Sequence, residues 1–199
     1  CQVVSDSILI EGNYRSFHFK KPQSAQRGGS LVFIMHGSGG NGIDMMSNTS
    51  KLAQKTATEN VLFVYPNGYK KYWNECRKMA SSLANKVNIN EEAFFTAMIN
   101  YFKEKYTIND QHVFAMGTSG GGHMSYKLAM TMPEKLKAIT AIIANLPDDQ
   151  NMDCSEAKKA IPVMIINGTA DAVNPYEGGM MQGGNFVMGT VRSSDQSFQ

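Results

Sequence analysis

The chain has 199 residues, 42% hydrophobic and 18% charged, with 19 basic and 17 acidic side chains and a formal charge of +2. That length allows one substantial core and is short for two, so residues 1–199 are expected to form a single domain. A charge so small, with lysines paired only at Lys20-Lys21, Lys70-Lys71 and Lys158-Lys159, does not suggest a nucleic-acid surface, and no nucleic-acid partner is expected.

The chain begins at Cys1. A cysteine at a mature N-terminus is what a bacterial lipoprotein would show, tethered to a membrane by acyl chains, and an arbitrary boundary reads equally well. No apolar run approaches the roughly 20 residues that a membrane-spanning helix needs. Cys76 and Cys154 could pair in an oxidising compartment, but three cysteines without ligand spacing make neither a zinc module nor a disulfide scaffold. Methionines such as Met35, Met98 and Met164 read as core filler.

In chain order, Val3 to Ile10 and Tyr14 to Lys20 predict two strands joined at Glu11-Gly12-Asn13. Pro22 to Gly29 is a polar loop. Leu31 to Met35 and Val61 to Tyr65 are apolar at every position, as in strands covered on both faces, with a helix expected between them over Asn48 to Glu59. Asn88 to Tyr106 predicts a second helix, with Asn90 as its cap and Phe94, Phe95, Met98, Ile99 and Phe102 as its buried stripe. Val113 to Met116, Ala138 to Ile143 and Pro162 to Ile166 supply further buried strands. Alternating strands and helices predict an α/β fold: a mainly parallel sheet with helices on both faces, led by an antiparallel hairpin. Reactive loops of such sheets gather at the carboxyl ends of the strands.

Three segments directly follow an apolar strand. Gly117-Thr118-Ser119-Gly120-Gly121 has the pattern of a nucleophile elbow, a tight turn between strand and helix that projects the serine hydroxyl, and it nominates Ser119. His36 to Gly42 holds four glycines and can turn backbone N–H groups into a cleft; it lacks the Gly-Lys-Ser/Thr ending of a phosphate loop. Asn167 to Asp171 brings a carboxylate to the same rim, with Glu177 as a competitor to Asp171. A serine hydroxyl needs a base to take its proton, an acid to orient that base, and donors for the oxyanion that forms. The donors would be the N–H of Gly120 and one from Ser38 or Gly39. Trp73, with Tyr69 and Tyr72 nearby, is a candidate cleft wall or simply a buried side chain. No metal spacing is present and no cofactor is called for.

Phe33 to Gly40, Val64-Tyr65-Pro66 with a tryptophan shortly after, Gly117 to Gly122, Asn167 to Asp171 and Pro175-Tyr176 together resemble the polyhydroxybutyrate-depolymerase and feruloyl-esterase branch of the α/β hydrolases. The resemblance runs from about Arg15 to Gly179. It implies Ser119 as nucleophile, Asp171 as triad acid, Gly120 and the Ser38 region as oxyanion hole, His36 as a structural part of its loop, and secreted, periplasmic or cell-surface action on small or polymer-linked esters. Where such proteins commonly read Asp-Asp, this chain has Asn90-Glu91, a local capping difference.

In this fold the triad runs serine, acid, histidine. No histidine follows Asp171. His18 lies in the early hairpin, His36 in the glycine loop, His112 at the amino end of its strand, and His123 one turn into the elbow helix. The base is therefore expected in a C-terminal segment beyond Gln199, where Ser193 to Gln196 has the spacing of a capping box and opens a helix. The expected function is ester hydrolysis through an acyl-enzyme, on feruloyl or acetyl esters of polysaccharide or on hydroxyalkanoate esters. A fold that lost its base and binds carbohydrate without turnover, and an acyltransferase using the same residues, are the alternatives.

Overall fold

The computed structural model describes residues 2–22, 27–55, 59–156, 158–183 and 188–198. The lipid-anchor expectation at Cys1 lies outside the described residues. Seven strands form one sheet in the order β1-β2-β4-β3-β5-β6-β7: β1 Val3–Ile10, β2 Asn13–Lys20, β3 Ser30–Met35, β4 Val61–Pro66, β5 Val113–Thr118, β6 Ala138–Ile142 and β7 Val163–Ile166. β1 and β2 pair antiparallel around Glu11-Gly12, whose φ values of 47° and 81° give the backbone twist that suits a two-residue hairpin. β2 meets β4 antiparallel, and β4, β3, β5, β6 and β7 run parallel.

The strands separate two apolar clusters because side chains alternate across a sheet. Phe33 and Met35 of β3 face one cluster together with Phe94, Phe95, Met98 and Phe102 of helix α4 (Glu91–Tyr106) and Met124 and Leu128 of α5 (Gly120–Thr131). Ile34 of the same strand faces the other, with Phe63, Tyr65 and Met46, the last from α1 (Gly42–Asn48). Helices cover both faces, as the sequence pattern requires.

Three expectations change. The helix placed at Asn48 to Glu59 starts earlier: α1 begins at Gly42, where the Asn41 side chain accepts from Asp44 N at 2.9 Å, and the short α2 (Ser50–Ala53) follows, while residues 56–58 of the expected helix lie outside the described residues. The cap lies inside the glycine loop, so the helix signal was hidden among turn residues. β7 is an edge strand, and its Met164 and Ile166 are 59% and 49% exposed, so this face is only partly covered by the described residues. The Asn90-Glu91 difference reaches beyond capping. Asn90 does cap α4, accepting from Ala93 N at 3.0 Å, but Glu91 is fully buried and receives Arg15 Nη2 at 2.8 Å and Asn74 N at 3.1 Å.

Arg15 is 2% exposed, and its guanidinium also lies over the Phe94 ring at 4.3 Å. Burial pushes the Glu91 carboxyl up, with the Arg15 charge pulling against it. A short α3 (Leu83–Lys86), a 3-10 turn (Pro133–Lys135), a two-stranded pair of β8 (Gly179–Met180) and β9 (Thr190–Val191), and α6 (Ser194–Phe198) complete the described elements. α6 opens with the expected reciprocal cap, Gln196 N to Ser193 Oγ at 3.1 Å and Ser193 N to Gln196 Oε1 at 3.2 Å, although Phe198 is 75% exposed. Cys76 and Cys154 are bonded, with their Cα atoms 5.1 Å apart and a sequence separation of 78.

Two stability outcomes follow. Arg15→Met leaves Glu91 buried without its partner and should cost about 3–5 kcal/mol in urea unfolding, while Arg15→Met with Glu91→Met recovers most of that loss. Replacing both Cys76 and Cys154 with serine should cost about 4.5 kcal/mol by the same measurement, the chain-entropy value for a loop of this length.

Candidate active site

The elbow is built by close approach of backbone. Ser119 joins β5 to α5 at φ 54° and ψ −117°, a conformation that only a surrounding structure can hold for a residue with a side chain. Two main-chain bonds hold it: Ser119 N donates to Ile142 O on β6 at 2.8 Å, and His123 N donates to Ser119 O at 3.0 Å. A Cβ at Gly121 would overlap the carbonyl oxygen of Met35, so the helix can reach the end of β3 only with glycine there. A Cβ at Gly120 would stand 2.5 Å from Ser38 Oγ and 3.0 Å from Ser38 N. Gly120 and Ser38 are thus adjacent across the strand ends. The Ser119 hydroxyl makes no hydrogen bond among the described residues and opens into a cavity of about 240 Å³ that Ser38, Gly120 and Trp73 also line.

The glycine loop is held from below. His36 is buried; its Nε2 accepts from Gly68 N at 3.0 Å, which assigns the proton to Nδ1, the atom 2.7 Å from Gly37 O. Burial lowers its pKa, keeping the ring neutral. Trp73 Nε1 donates to His36 O at 2.9 Å, and the two rings lie 5.0 Å apart. Trp73 is 2% exposed, so both readings of it hold: it is a core side chain whose edge forms part of the cavity wall. Tyr72 lines the same cavity, whereas Tyr69 lines a separate one with Arg15 and Lys70.

Gly39 is a correction. Its N–H donates to Lys71 O at 2.9 Å, and it sits at φ 79°, so it turns the loop instead of facing the cavity as a donor. Of the two loop candidates, Ser38 alone remains next to Gly120.

Asp171 lies on the loop after β7, half-buried, with Oδ1 accepting from Val173 N at 2.8 Å and Asn174 N at 2.9 Å. No histidine hydrogen-bonds to it among the described residues. Three asparagines fasten this loop to its neighbours: Asn167 Nδ2 donates to Asn145 Oδ1 at 2.7 Å and to Ser194 Oγ at 2.9 Å, while Asn174 Oδ1 accepts from Asn145 N at 3.1 Å. The competing Glu177 is exposed.

All four histidines have other surroundings. His18 Nε2 accepts from Asn67 Nδ2 at 2.9 Å and its Nδ1 lies 2.8 Å from Ser5 Oγ. His36 is locked as described, and His112 precedes β5 at the edge of the sheet opposite the elbow. His123 is 2% exposed with neither ring nitrogen hydrogen-bonded among the described residues, and burial, reinforced by the Arg77 charge, holds it neutral. Among the described residues no group of three or more His, Cys, Asp or Glu side chains could hold a metal ion.

Two groups of residues escaped the sequence reading. Asn67 joins the hairpin to the glycine loop, donating to Ser16 Oγ at 2.9 Å and accepting from Gly42 N at 2.7 Å; its only signal was its place just after β4. Glu75 and Arg77 form a buried ion pair on the cavity wall, Arg77 Nε to Glu75 Oε1 at 2.9 Å, with no signal beyond flanking Cys76.

Residues 20–184 match the phospholipase/carboxylesterase family of α/β hydrolases. Among curated proteins, feruloyl esterase C of Emericella nidulans is 27% identical over 79% of this chain and 54% of its own length. A "Probable feruloyl esterase C" of Aspergillus niger is 26% identical over 88% of this chain and 62% of its own. The chain thus spans roughly half to three fifths of the curated relatives it matches. Of solved structures, a thermostable esterase superposes with a TM-score of 0.68 at 18% identity, over 88% of this chain and 48% of that one, and a ferulic acid esterase with 0.53 at 21%, over 74% and 61%. Fold and sequence agree: the chain belongs to the phospholipase/carboxylesterase family of α/β hydrolases.

Proposed function

We propose that residues 1–199 belong to one hydrolase domain of a serine esterase acting on feruloyl or acetyl esters of polysaccharide or on hydroxyalkanoate esters. The observation that carries this reading is the unpartnered Ser119 hydroxyl at a positive-φ elbow, opening into a cavity beside the Ser38 and Gly120 main chain. Ser119 Oγ attacks the ester carbonyl, giving a tetrahedral oxyanion that the N–H groups of Ser38 and Gly120 receive. Collapse expels the alcohol and leaves an acyl-enzyme, and water then releases the acid and restores the serine. Asp171 is the acid that orients the base. We place that base outside these 199 residues, since the four histidines here are engaged or enclosed elsewhere and the matched relatives are longer. The apolar face of β7, exposed at Met164 and Ile166, is consistent with further chain packing there.

The Cys76–Cys154 bond supports an oxidising setting, hence secretion or display at a cell surface, and among the described residues no helix is long and apolar enough to cross a membrane. The engaged histidines are also what a binding protein without turnover would show, and the same assay separates the two.

In the full-length protein, Ser119→Ala should abolish labelling by a fluorophosphonate and lower turnover of p-nitrophenyl acetate by about 10⁴-fold or more. His123→Gln should leave turnover largely intact; a loss matching that of Ser119→Ala would make His123 the base. A folded parent protein that is neither labelled nor active would favour the binding reading.

A further inference from the structure

The cavity beside Ser119 is lined by apolar and charged side chains together. Trp73, Val173, Met181 and Met188 are among the apolar ones, and Glu75 and Arg77 are the charged ones. A buried ion pair on the wall of a small apolar cavity is costly to desolvate and contributes little to net stability over an apolar pair of the same size. Its geometry indicates what it can recognise.

Arg77 is 6% exposed and Glu75 4%. The two Glu75 oxygens accept from Arg77 N and Arg77 Nε, each at 2.9 Å. The far end of the guanidinium is left under-partnered: Nη1 has only the thioether of Met181 at 3.3 Å, a weak acceptor, and Nη2 has no partner among the described residues. Each carboxylate oxygen likewise has lone-pair capacity beyond the one bond it accepts.

The pair is rigidly presented. Cys76, between the two residues, is bonded to Cys154. Lys78 N donates to Asn151 O at 2.7 Å, Met79 N to Asn151 Oδ1 at 2.9 Å, and Asp153 N to Cys76 O at 2.9 Å. A charged group clamped on both sides and turned toward a cavity has the preorganisation of a recognition element.

We propose that Glu75 and Arg77 form a specificity site for a hydroxyl on the acyl group of the substrate, a statement that rests on the esterase reading and adds the substrate class. A hydroxyl is a small neutral group that can accept from Arg77 Nη and donate to Glu75 at once. A second carboxylate is disfavoured because Glu75 already neutralises the guanidinium, and a bare hydrocarbon leaves the donors unpaired. The acyl side is the one that enters, since an alcohol carried on a polymer must stay in solvent and a space of about 240 Å³ holds only a small group.

The test is binding, which does not depend on turnover. Full-length Ser119→Ala protein is titrated calorimetrically with methyl 4-hydroxycinnamate, methyl cinnamate, methyl 4-methoxycinnamate and methyl 4-carboxycinnamate, and with methyl 3-hydroxybutyrate against methyl butyrate. The hydroxylated member of at least one series should bind on the order of tenfold more tightly than its hydrogen, methoxyl and carboxylate counterparts. Glu75→Gln/Arg77→Met, which keeps the site neutral overall, should erase that ratio, with its folding checked by near-ultraviolet circular dichroism; should it not fold, Arg77→Lys, which keeps the charge and loses the fork, should reduce the same ratio. Equal binding of hydroxylated and plain esters, tightest binding of the carboxylate, or a ratio untouched in the folded variant overturns the proposal. Fluorophosphonate labelling of the parent protein reports separately on the esterase reading.

Discussion

The approach of two main chains at the carboxyl ends of β3 and β5 is the constraint on which this site depends. The first turn of α5 lies so close to the end of β3 and its loop that a methyl group at Gly121 would collide with the Met35 carbonyl and one at Gly120 with Ser38 Oγ. That contact brings the serine turn and the glycine loop into one cavity wall, and it sets Ser119 in a backbone region that side chains rarely occupy. The conformation persists because bonds to β6 and to the next turn of α5 over-determine it.

A chain of buried polar contacts carries this arrangement back into the core. The guanidinium of Arg15 holds Glu91, Glu91 receives the Asn74 amide, and the neighbouring Trp73 indole supports the His36 carbonyl at the base of the glycine loop. His36 itself bridges to Gly68 with its ring. Most of these groups are paired, which limits their desolvation cost; the exception is Arg15 Nη1, buried without a hydrogen-bond partner among the described residues. The order of the hairpin, of α4 and of the loop is therefore coupled, and the loop inherits the rigidity of the sheet.

The opposite wall is fixed by different means. Residues 75–79 have no regular ladder beside them beyond the bridge of Arg77 to Met152, and the disulfide with its neighbouring main-chain bonds takes the place of one. Asn151, buried and bonded on several sides, is the hub of that clamp. Rigid loops on both sides of the serine give the cavity a defined shape.

Strand and helix identities, the hairpin, the cap at Asn90 and the elbow around Ser119 were legible in the sequence because each rests on local periodicity, a local steric need or a short hydrogen-bonded turn. The start of α1 was not, since its cap lies within a glycine run, and neither was the exposure of β7, which depends on what packs against an otherwise apolar strand. Ser38 and Gly39 are chemically equivalent as donors in the sequence; the carbonyl of Lys71, 32 positions further on, occupies one of them. Glu75 and Arg77 carry no sequence signal beyond flanking Cys76, and it is the fold that buries them beside Ser119. By itself the sequence determined the order of elements and the residue at the elbow, because near neighbours decide those; only the tertiary structure decided which amides, charges and ring nitrogens remain unpaired, because their partners come from strands and loops distant along the chain.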